Sequence, residues 1–273
     1  MKKCIIMILA TVMILSESCA KKNVLSPTVS FETNYGKIIV KLYPETPKHR
    51  DNFMKLVNNG FYDGVLFHRV IADFMIQAGD PESKKAMPGA MLGSGDVGYT
   101  IPAEFAYPQY YHKRGALAAA RQGDMTNPKK ASSGCQFYII QGRVFSEEEL
   151  NVMEKNNGLK FEAKLFQEKL KTKQNELKKY RQDRNLIKSD SLQNSILEEV
   201  RSEIAKNPTY KFTEQQRIDY KTLGGTPHLD GEYTVFGEVI EGLDIVEKIS
   251  KTKTGRNDRP MKDIKVIKAK WIN

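Results

Sequence analysis

The chain has 273 residues, 40% of them apolar, and a formal net charge of +10. That length fits one large domain, or a medium domain carrying an attachment. The positive charge is scattered along the chain without the basic-and-aromatic pattern of a nucleic-acid site, so nucleic acid is excluded as a partner.

Met1-Lys2-Lys3 is a short basic start, Cys4 to Leu15 is a nearly unbroken apolar run of twelve residues, and Ser16-Glu17-Ser18-Cys19 follows. Twelve residues are too few to cross a hydrocarbon layer of about 30 Å comfortably. The layout is that of a secretory signal over residues 1–18. The residues around Cys19 resemble a bacterial lipoprotein signal, which implies lipidation of Cys19, a tether over 19–27 and a membrane-anchored place in the cell envelope, in the periplasm; simple cleavage without lipid is the alternative. Cys4 leaves with the signal and Cys19 carries the lipid. Cys135 then remains alone, so the fold needs no disulfide even in an oxidising compartment.

From Thr28 the pattern has period two: Val29, Phe31 and Thr33, then Ile38, Val40 and Leu42 beyond a Tyr35-Gly36 turn, predicting a hairpin with one buried face. Thr46 is placed to cap a helix with Pro47 at its first position, Phe53, Leu56 and Val57 on its apolar stripe and Asn59-Gly60 at its end. Short apolar runs then recur at Val65–Ile71, Phe74–Gln77, Ala116–Ala120, Gln136–Ile140 and Tyr233–Val239. A helix is predicted at Leu243–Ser250 and a closing strand at Ile264–Ile272. Many short strands with few helices predict a mostly β sandwich or barrel.

Residues 146–221 break this rhythm, with 16 Lys/Arg, 14 Asp/Glu and neither Gly nor Pro from Leu159 to Asn207. Ser146-x-x-Glu149, Asp190-x-x-Gln193 and Thr213-x-x-Gln216 read as capping boxes or close variants. Phe161, Leu165, Leu170, Leu177 and Tyr180, then Leu192, Ile196, Val200 and Ile204, give near-helical spacing. The segment is expected to be an inserted helical hairpin or small bundle, with a solvated charged arm as the alternative.

The stretch Phe67-His68-Arg69-Val70-Ile71-Ala72-Asp73-Phe74-Met75-Ile76-Gln77-Ala78-Gly79-Asp80 sets one arginine among aromatic and thioether side chains, with no nucleophile–base pair. That suits a reaction that breaks no σ bond. Isomerising a prolyl amide means losing its resonance, a barrier of about 18–20 kcal/mol. The reaction calls for an apolar pocket for the ring and a donor that binds the twisted amide more strongly than either planar form. A guanidinium can be that donor.

The order of the segments extends this reading. Gly60-Phe61-Tyr62-Asp63-Gly64, Phe67-His68-Arg69-Val70, Phe74-Met75-x-Gln77-x-Gly79-Asp80, Ala119-Ala120-Arg121, Ser133-Gly134-Cys135-Gln136-Phe137-Tyr138-Ile139 and Leu229-Asp230-x-x-Tyr233-Thr234-Val235-Phe236-Gly237 together resemble the cyclophilin family of peptidyl-prolyl isomerases. The resemblance covers 28–145 and 222–273. It implies a closed eight-stranded antiparallel barrel capped by a helix at each end. It makes Arg69 the catalytic arginine and Gln77 the group that orients it. Phe74, Met75, Tyr138 and Leu229 form the proline pocket, Ala120 and Arg121 the backbone that pairs with an extended peptide, and Gln136 a polar contact on the rim. Tyr233 stands where many members carry His. His228 stands where cyclosporin-sensitive members carry Trp. Tyr138 replaces the usual Phe, which predicts a more polar floor, Cys135 replaces a common Ser, and Ala72-Asp73 replaces a common Pro-Gly.

Two patterns are set aside. Gly93-x-Gly95-x-x-Gly98 matches a dinucleotide-binding expression, but no helix opens at Gly98-Tyr99-Thr100-Ile101-Pro102, so a loop is predicted. His49, His68, His112 and His228 lack paired metal-ligand spacing, so neither metal nor cofactor is expected. The function read from the residues is isomerisation of Xaa-Pro bonds in unfolded or proline-containing polypeptides. The alternative is a proline-peptide-binding or chaperone-like module whose helical insertion is the working surface.

Overall fold

The computed structural model describes residues 26–206, 208 and 211–272. The expected signal over 1–18, Cys19 and most of the tether lie outside the described residues. No helix among the described residues is long and apolar enough to cross a membrane.

Strands β1 (Thr28–Thr33) and β2 (Gly36–Leu42) form the predicted hairpin, with Val29 opposite Val40 and Phe31 opposite Ile38. The Thr33 hydroxyl accepts the amides of Tyr35 and Gly36, and Gly36 takes a left-handed φ of 137° that favours glycine. One expectation fails here, because β1 is buried on both faces and only Glu32 is half-exposed.

Helix α1 (Pro47–Asn58) buries His49, Phe53, Leu56 and Val57, an i, i+4, i+7, i+8 stripe. Thr46 does not cap it. Its hydroxyl turns back to the Tyr43 carbonyl at 3.5 Å. The first-turn amides of Lys48 and His49 donate instead to the Glu104 carboxylate at 3.1 and 3.0 Å. A negative group brought from a distant loop satisfies the orphan donors and the positive helix end together.

The remaining strands are β3 (Arg69–Ile71), β4 (Met75–Ala78), β5 (Thr100–Ile101), β6 (Ala116–Ala119), β7 (Ser132–Ser133), β8 (Phe137–Ile140), β9 (Val235–Glu241) and β10 (Val266–Trp271). Eight form one antiparallel sheet in the order β10-β1-β2-β9-β6-β8-β4-β3, while β5 and β7 pair separately. The sheet curls on itself but is not the closed barrel expected. Its edge strands β10 and β3 share no ladder, since β10 meets the chain at residues 64–67, before β3 begins. The seam is held by a single bridge between Leu66 and Lys265, by amide bonds such as Phe67 N–H to Ile264 O at 2.8 Å, and by the Asp63 side chain, which accepts the Ala269 amide at 2.9 Å.

Period two then divides two clusters. Along β4, β6 and β8, Ile76, Ala78, Leu117, Ala119, Phe137 and Ile139 point into the principal core with Phe31, Phe53 and Tyr62. Met75, Ala116, Ala118, Tyr138 and Ile140 point to the opposite face and build a second apolar cluster with Phe74, Leu229 and Tyr233.

Helices follow at α2 (Glu147–Thr172), α3 (Gln174–Gln182), α4 (Leu186–Lys206) and α5 (Glu214–Thr222), and α6 (Leu243–Ser250) keeps its predicted bounds. Ser146 and Thr213 make full capping boxes, whereas Asp190 sits inside α4, whose first turn is capped by Asn185 accepting the Lys188 amide at 3.1 Å. Leu177, Ile196 and Val200 are buried where α2, α3 and α4 meet, but Phe161, Leu165 and Leu170 of the expected α2 stripe stay half-exposed. A third cluster joins Leu150 of α2 and Tyr220 of α5 to Phe145, Phe212 and Tyr111. Helix α5 therefore packs onto the sheet domain.

Candidate active site

Antiparallel pairing of β3 with β4 sets Arg69 opposite Gln77. Between them the chain turns through Asp73 in a left-handed conformation, φ 58°, so the aspartate at this position keeps a turn that glycine would make more easily. The turn brings Phe74 and Met75 beside Arg69. Pairing of β4 with β8 lays Gln77 against Tyr138 and Met75 against Ile140.

The result is a cleft of about 510 Å³ lined by Arg69, Phe74, Met75, Gln77, Ala120, Arg121, Tyr138, Leu229 and Tyr233, nine of the residues singled out in the sequence. Two others stand aside. Gln136 lines an adjoining groove that shares Gln77, Gly93, Ala120 and Arg121 with the cleft. His228 lies on the outer rim, its ring stacked on Phe74 at 5.6 Å. Sequence reading missed His68, Leu92, Gly93, Asn257 and Asp258.

Several polar groups have definite partners, while both ring nitrogens of the buried His68 have none among the described residues. The Gln77 amide does not hold Arg69. It donates to Gln136 Oε1 at 3.0 Å, and the Gln136 amide donates to the Gly93 and Gly95 carbonyls at 3.0 and 2.8 Å. The glycine-rich segment is a loop, as predicted, and the Gly93 amide also donates to the buried Asp80 carboxylate at 2.5 Å. Arg69 is met by Asp258, Nε to Oδ2 at 3.4 Å, in an exposed pair that water screens. Asn257 and Asp258 both have left-handed φ values, and no periodicity in Gly255-Arg256-Asn257-Asp258 marked them.

Arg121 has a different task. Its guanidinium is 5% exposed, lies 4.4 Å over the Tyr233 ring and donates to the Glu232 carbonyl at 2.9 Å and the Asp124 carboxylate at 2.5 Å. It fixes the Tyr233 wall by a cation–π contact. The Ala120 amide donates to the Gln136 carbonyl and its carbonyl accepts the Ser133 amide. Among the described residues the Arg121 backbone makes no such bond, so it is the freer of the two for an added strand.

The Tyr138 hydroxyl does not make the floor polar. It is buried and turned away to His112 Nε2 at 3.1 Å, leaving the ring face to the cleft.

His68, 3% exposed beneath the cleft, is pushed down to about 4 by burial, against the opposing pull of the Asp80 carboxylate. The unfolded chain takes up that proton near the ordinary 6.5 while the native chain does not. The contribution of His68 to stability is therefore complete above about pH 6.5 and is lost as the pH falls toward 4, about 3 kcal/mol in full. Urea midpoints measured from pH 7.5 to 4.5 should fall less in His68→Gln than in the parent, since every other titrating group contributes equally to both. Parallel slopes would refute the assignment.

Among the described residues no serine, threonine, cysteine or lysine lines the cleft, and the exposed Arg69 guanidinium stands over an apolar floor. An arrangement of this kind can seat a ring and hydrogen-bond an amide, and the Asp258 carboxylate it carries is paired with Arg69, which suits a non-covalent peptide isomerase. The family model for cyclophilin-type peptidyl-prolyl cis-trans isomerases matches residues 28–158 and 209–271. A Staphylococcus saprophyticus protein named as a candidate peptidyl-prolyl cis-trans isomerase is 31% identical over 235 residues, covering 86% of each chain. A Staphylococcus aureus protein of the same name is 30% identical over 238 residues, covering 86% of this chain and 87% of its own. The crystal structure of a Cryptosporidium parvum cyclophilin-type isomerase shares the fold, with a TM-score of 0.52 at 20% identity over 91% of this chain and 98% of that one. This chain belongs to the cyclophilin-type peptidyl-prolyl cis-trans isomerase family, and its reaction is cis–trans isomerisation of Xaa-Pro bonds.

Proposed function

We propose that this isomerase acts on Xaa-Pro bonds in unfolded or extended segments of proteins in the cell envelope and assists their folding there. One observation carries the chemical assignment: Arg69 faces the apolar cleft made by Phe74, Met75, Tyr138 and Leu229. The proline ring enters the cleft and the preceding residues extend along the Arg121 backbone. The guanidinium donates to the prolyl carbonyl and supports the lone pair that localises on nitrogen as the amide twists. These interactions are strongest at the twisted amide, as a rate effect requires. Gln77 and Gln136, bonded to each other, form the polar edge against which the substrate backbone lies.

The cellular location rests on the basic start, apolar run and Cys19 of the first nineteen residues, read as a lipoprotein signal. Cys19→Ser should release a soluble or unprocessed protein, while the parent partitions into detergent with membranes. An unmodified mature N-terminus in the parent, seen by mass spectrometry, would exclude the lipid.

We propose an inserted unit narrower than 146–221. The family match stops at 158 and resumes at 209, and Tyr220 is wholly buried against the sheet domain. We therefore place the insertion at about 159–208. A second reading, in which the insertion also holds clients, draws on its exposed Leu159, Leu186 and Ile187.

A further inference from the structure

We propose that Tyr138, His112, Asp230 and Tyr220 form one buried hydrogen-bonded chain that holds the proline pocket in its binding pose, so that helix α5, which contributes nothing to the cleft lining, sets how tightly proline is bound. The proposal rests on Tyr138 being the pocket floor.

The chain is continuous. Tyr138 Oη lies 3.1 Å from His112 Nε2, His112 Nδ1 lies 3.0 Å from Asp230 Oδ1, and the Tyr220 hydroxyl donates to Asp230 Oδ2 at 2.5 Å. The His112 backbone amide adds a third donor to Asp230 at 2.9 Å. Every link is shielded from water. The His112 and Asp230 side chains are 1% and 5% exposed, Tyr220 is 0% and Tyr138 is 5%.

The bonds assign their own directions. A carboxylate only accepts, so His112 Nδ1 carries the hydrogen toward Asp230. In the neutral ring Nε2 is then an acceptor, and the Tyr138 hydroxyl must donate. The proton that could have made the pocket floor polar is thereby committed to the interior. The His112 ring lies within 13° of parallel to that of Tyr138, and Tyr233 stands edge-on to both.

Asp230 governs two surfaces of the pocket. Through His112 it orients the Tyr138 floor. As the residue after Leu229, held by three donors, it fixes the loop that carries the opposite wall. Its remaining anchor comes from α5, which the buried Tyr220 cluster packs onto the sheet domain and which Arg217 and Lys221 tie to Glu147 of α2, Arg217 also pairing with Glu154 at 2.8 Å. A low-dielectric chain with every donor and acceptor matched resists displacement, and loss of one link leaves its neighbours buried and unpaired. His112, Asp230 and Tyr220 are thus positioning residues.

The test is a double-mutant cycle on the isomerisation of a proline tetrapeptide, with folding followed by circular dichroism and melting. Tyr220→Phe, which removes only the hydroxyl, should raise KM about fivefold with kcat within about twofold, the size expected for one buried hydrogen bond. Tyr138→Phe severs the chain at its other end, and adding Tyr220→Phe to it should leave KM within about 1.5-fold of the Tyr138→Phe value, because coupled sites do not add. Independent, multiplicative effects on KM would overturn the proposal, as would an unchanged KM in folded Tyr220→Phe. Should that variant fail to fold, His112→Gln, alone and with Tyr138→Phe, asks the same question with the same two outcomes. Tyr138→Ala separates this proposal from the pocket assignment. If it too leaves KM unchanged, Tyr138 is not the floor. If it responds while the cycle is multiplicative, only the chain is wrong.

Discussion

Arg69→Ala should lower kcat/KM on a Xaa-Pro tetrapeptide by about two orders of magnitude, roughly 2.7 kcal/mol of barrier, as does loss of one positioned donor to a developing charge. The melting transition should hardly move. The Arg69 side chain is 42% exposed, its ion pair with Asp258 is 46% exposed on the acidic side, and no apolar cluster depends on it. A change confined to kcat/KM separates a group acting at the reaction from one supporting the fold. Arg69→Lys should recover only part of the loss, because a point charge cannot reproduce two donors fixed in a plane. Activity equal to the parent in folded Arg69→Ala would remove Arg69 from the mechanism.

The cleft was legible through the cyclophilin-like order of its motifs, and for Arg69, Met75, Gln77 and Tyr138 the alternation of short strands agrees with it. Once Met75 and Gln77 face one way along β4, Ile76 and Ala78 must face the other, and the same holds for Tyr138 against Phe137 and Ile139. The partners of those residues were less legible. Glu104 caps α1 across more than fifty residues, and Asp258 reaches Arg69 from a turn near the other end of the chain. Neither has a local signature, since a carboxylate in a loop is compatible with many neighbours. Closure of the barrel was over-read for a related reason. The strand pattern predicts only a sandwich or barrel and closure was implied by the resemblance, whereas β10 meets residues 64–67 through one bridge and a few amide bonds rather than a ladder. Tyr138 shows the same limit in one side chain. Its hydroxyl predicted a polar floor, and the partner that turns it inward, His112, had been set aside with the other histidines as lacking metal-ligand spacing.

Two truncations should give opposite results, and the contrast follows from where the buried side chains lie. Replacing residues 159–208 with a short Gly/Ser linker removes α3, α4 and the outer part of α2, whose buried Leu177, Ile196 and Val200 pack within that unit. The remaining ends need only a short connection, because the Phe212 amide donates to Glu154 Oε1 at 2.8 Å and Arg217 pairs with the same carboxylate. The shortened protein should fold and isomerise a tetrapeptide within about tenfold of the parent, or 1.4 kcal/mol of barrier. Replacing 147–221 instead removes Leu150, Phe212 and Tyr220 together, strips Phe145 and Tyr111 of their cover and takes one donor from the buried Asp230 carboxylate. Large aromatic deletions from a core cost about 3–5 kcal/mol each, and a domain has only about 5–15 kcal/mol in total, so this chain should be unfolded or molten at 37 °C. Thermal melts of the two proteins decide the matter. If both fold equally well, α5 is no part of the sheet domain. If neither folds, the helical unit belongs to the core from end to end. With the shorter deletion folded, its rate on an unfolded proline-limited protein, set against its rate on the tetrapeptide, reads the insertion's share in client handling. A selective loss on the protein substrate assigns the exposed Leu159, Leu186 and Ile187 to clients, and equal rates on both free the insertion from that role.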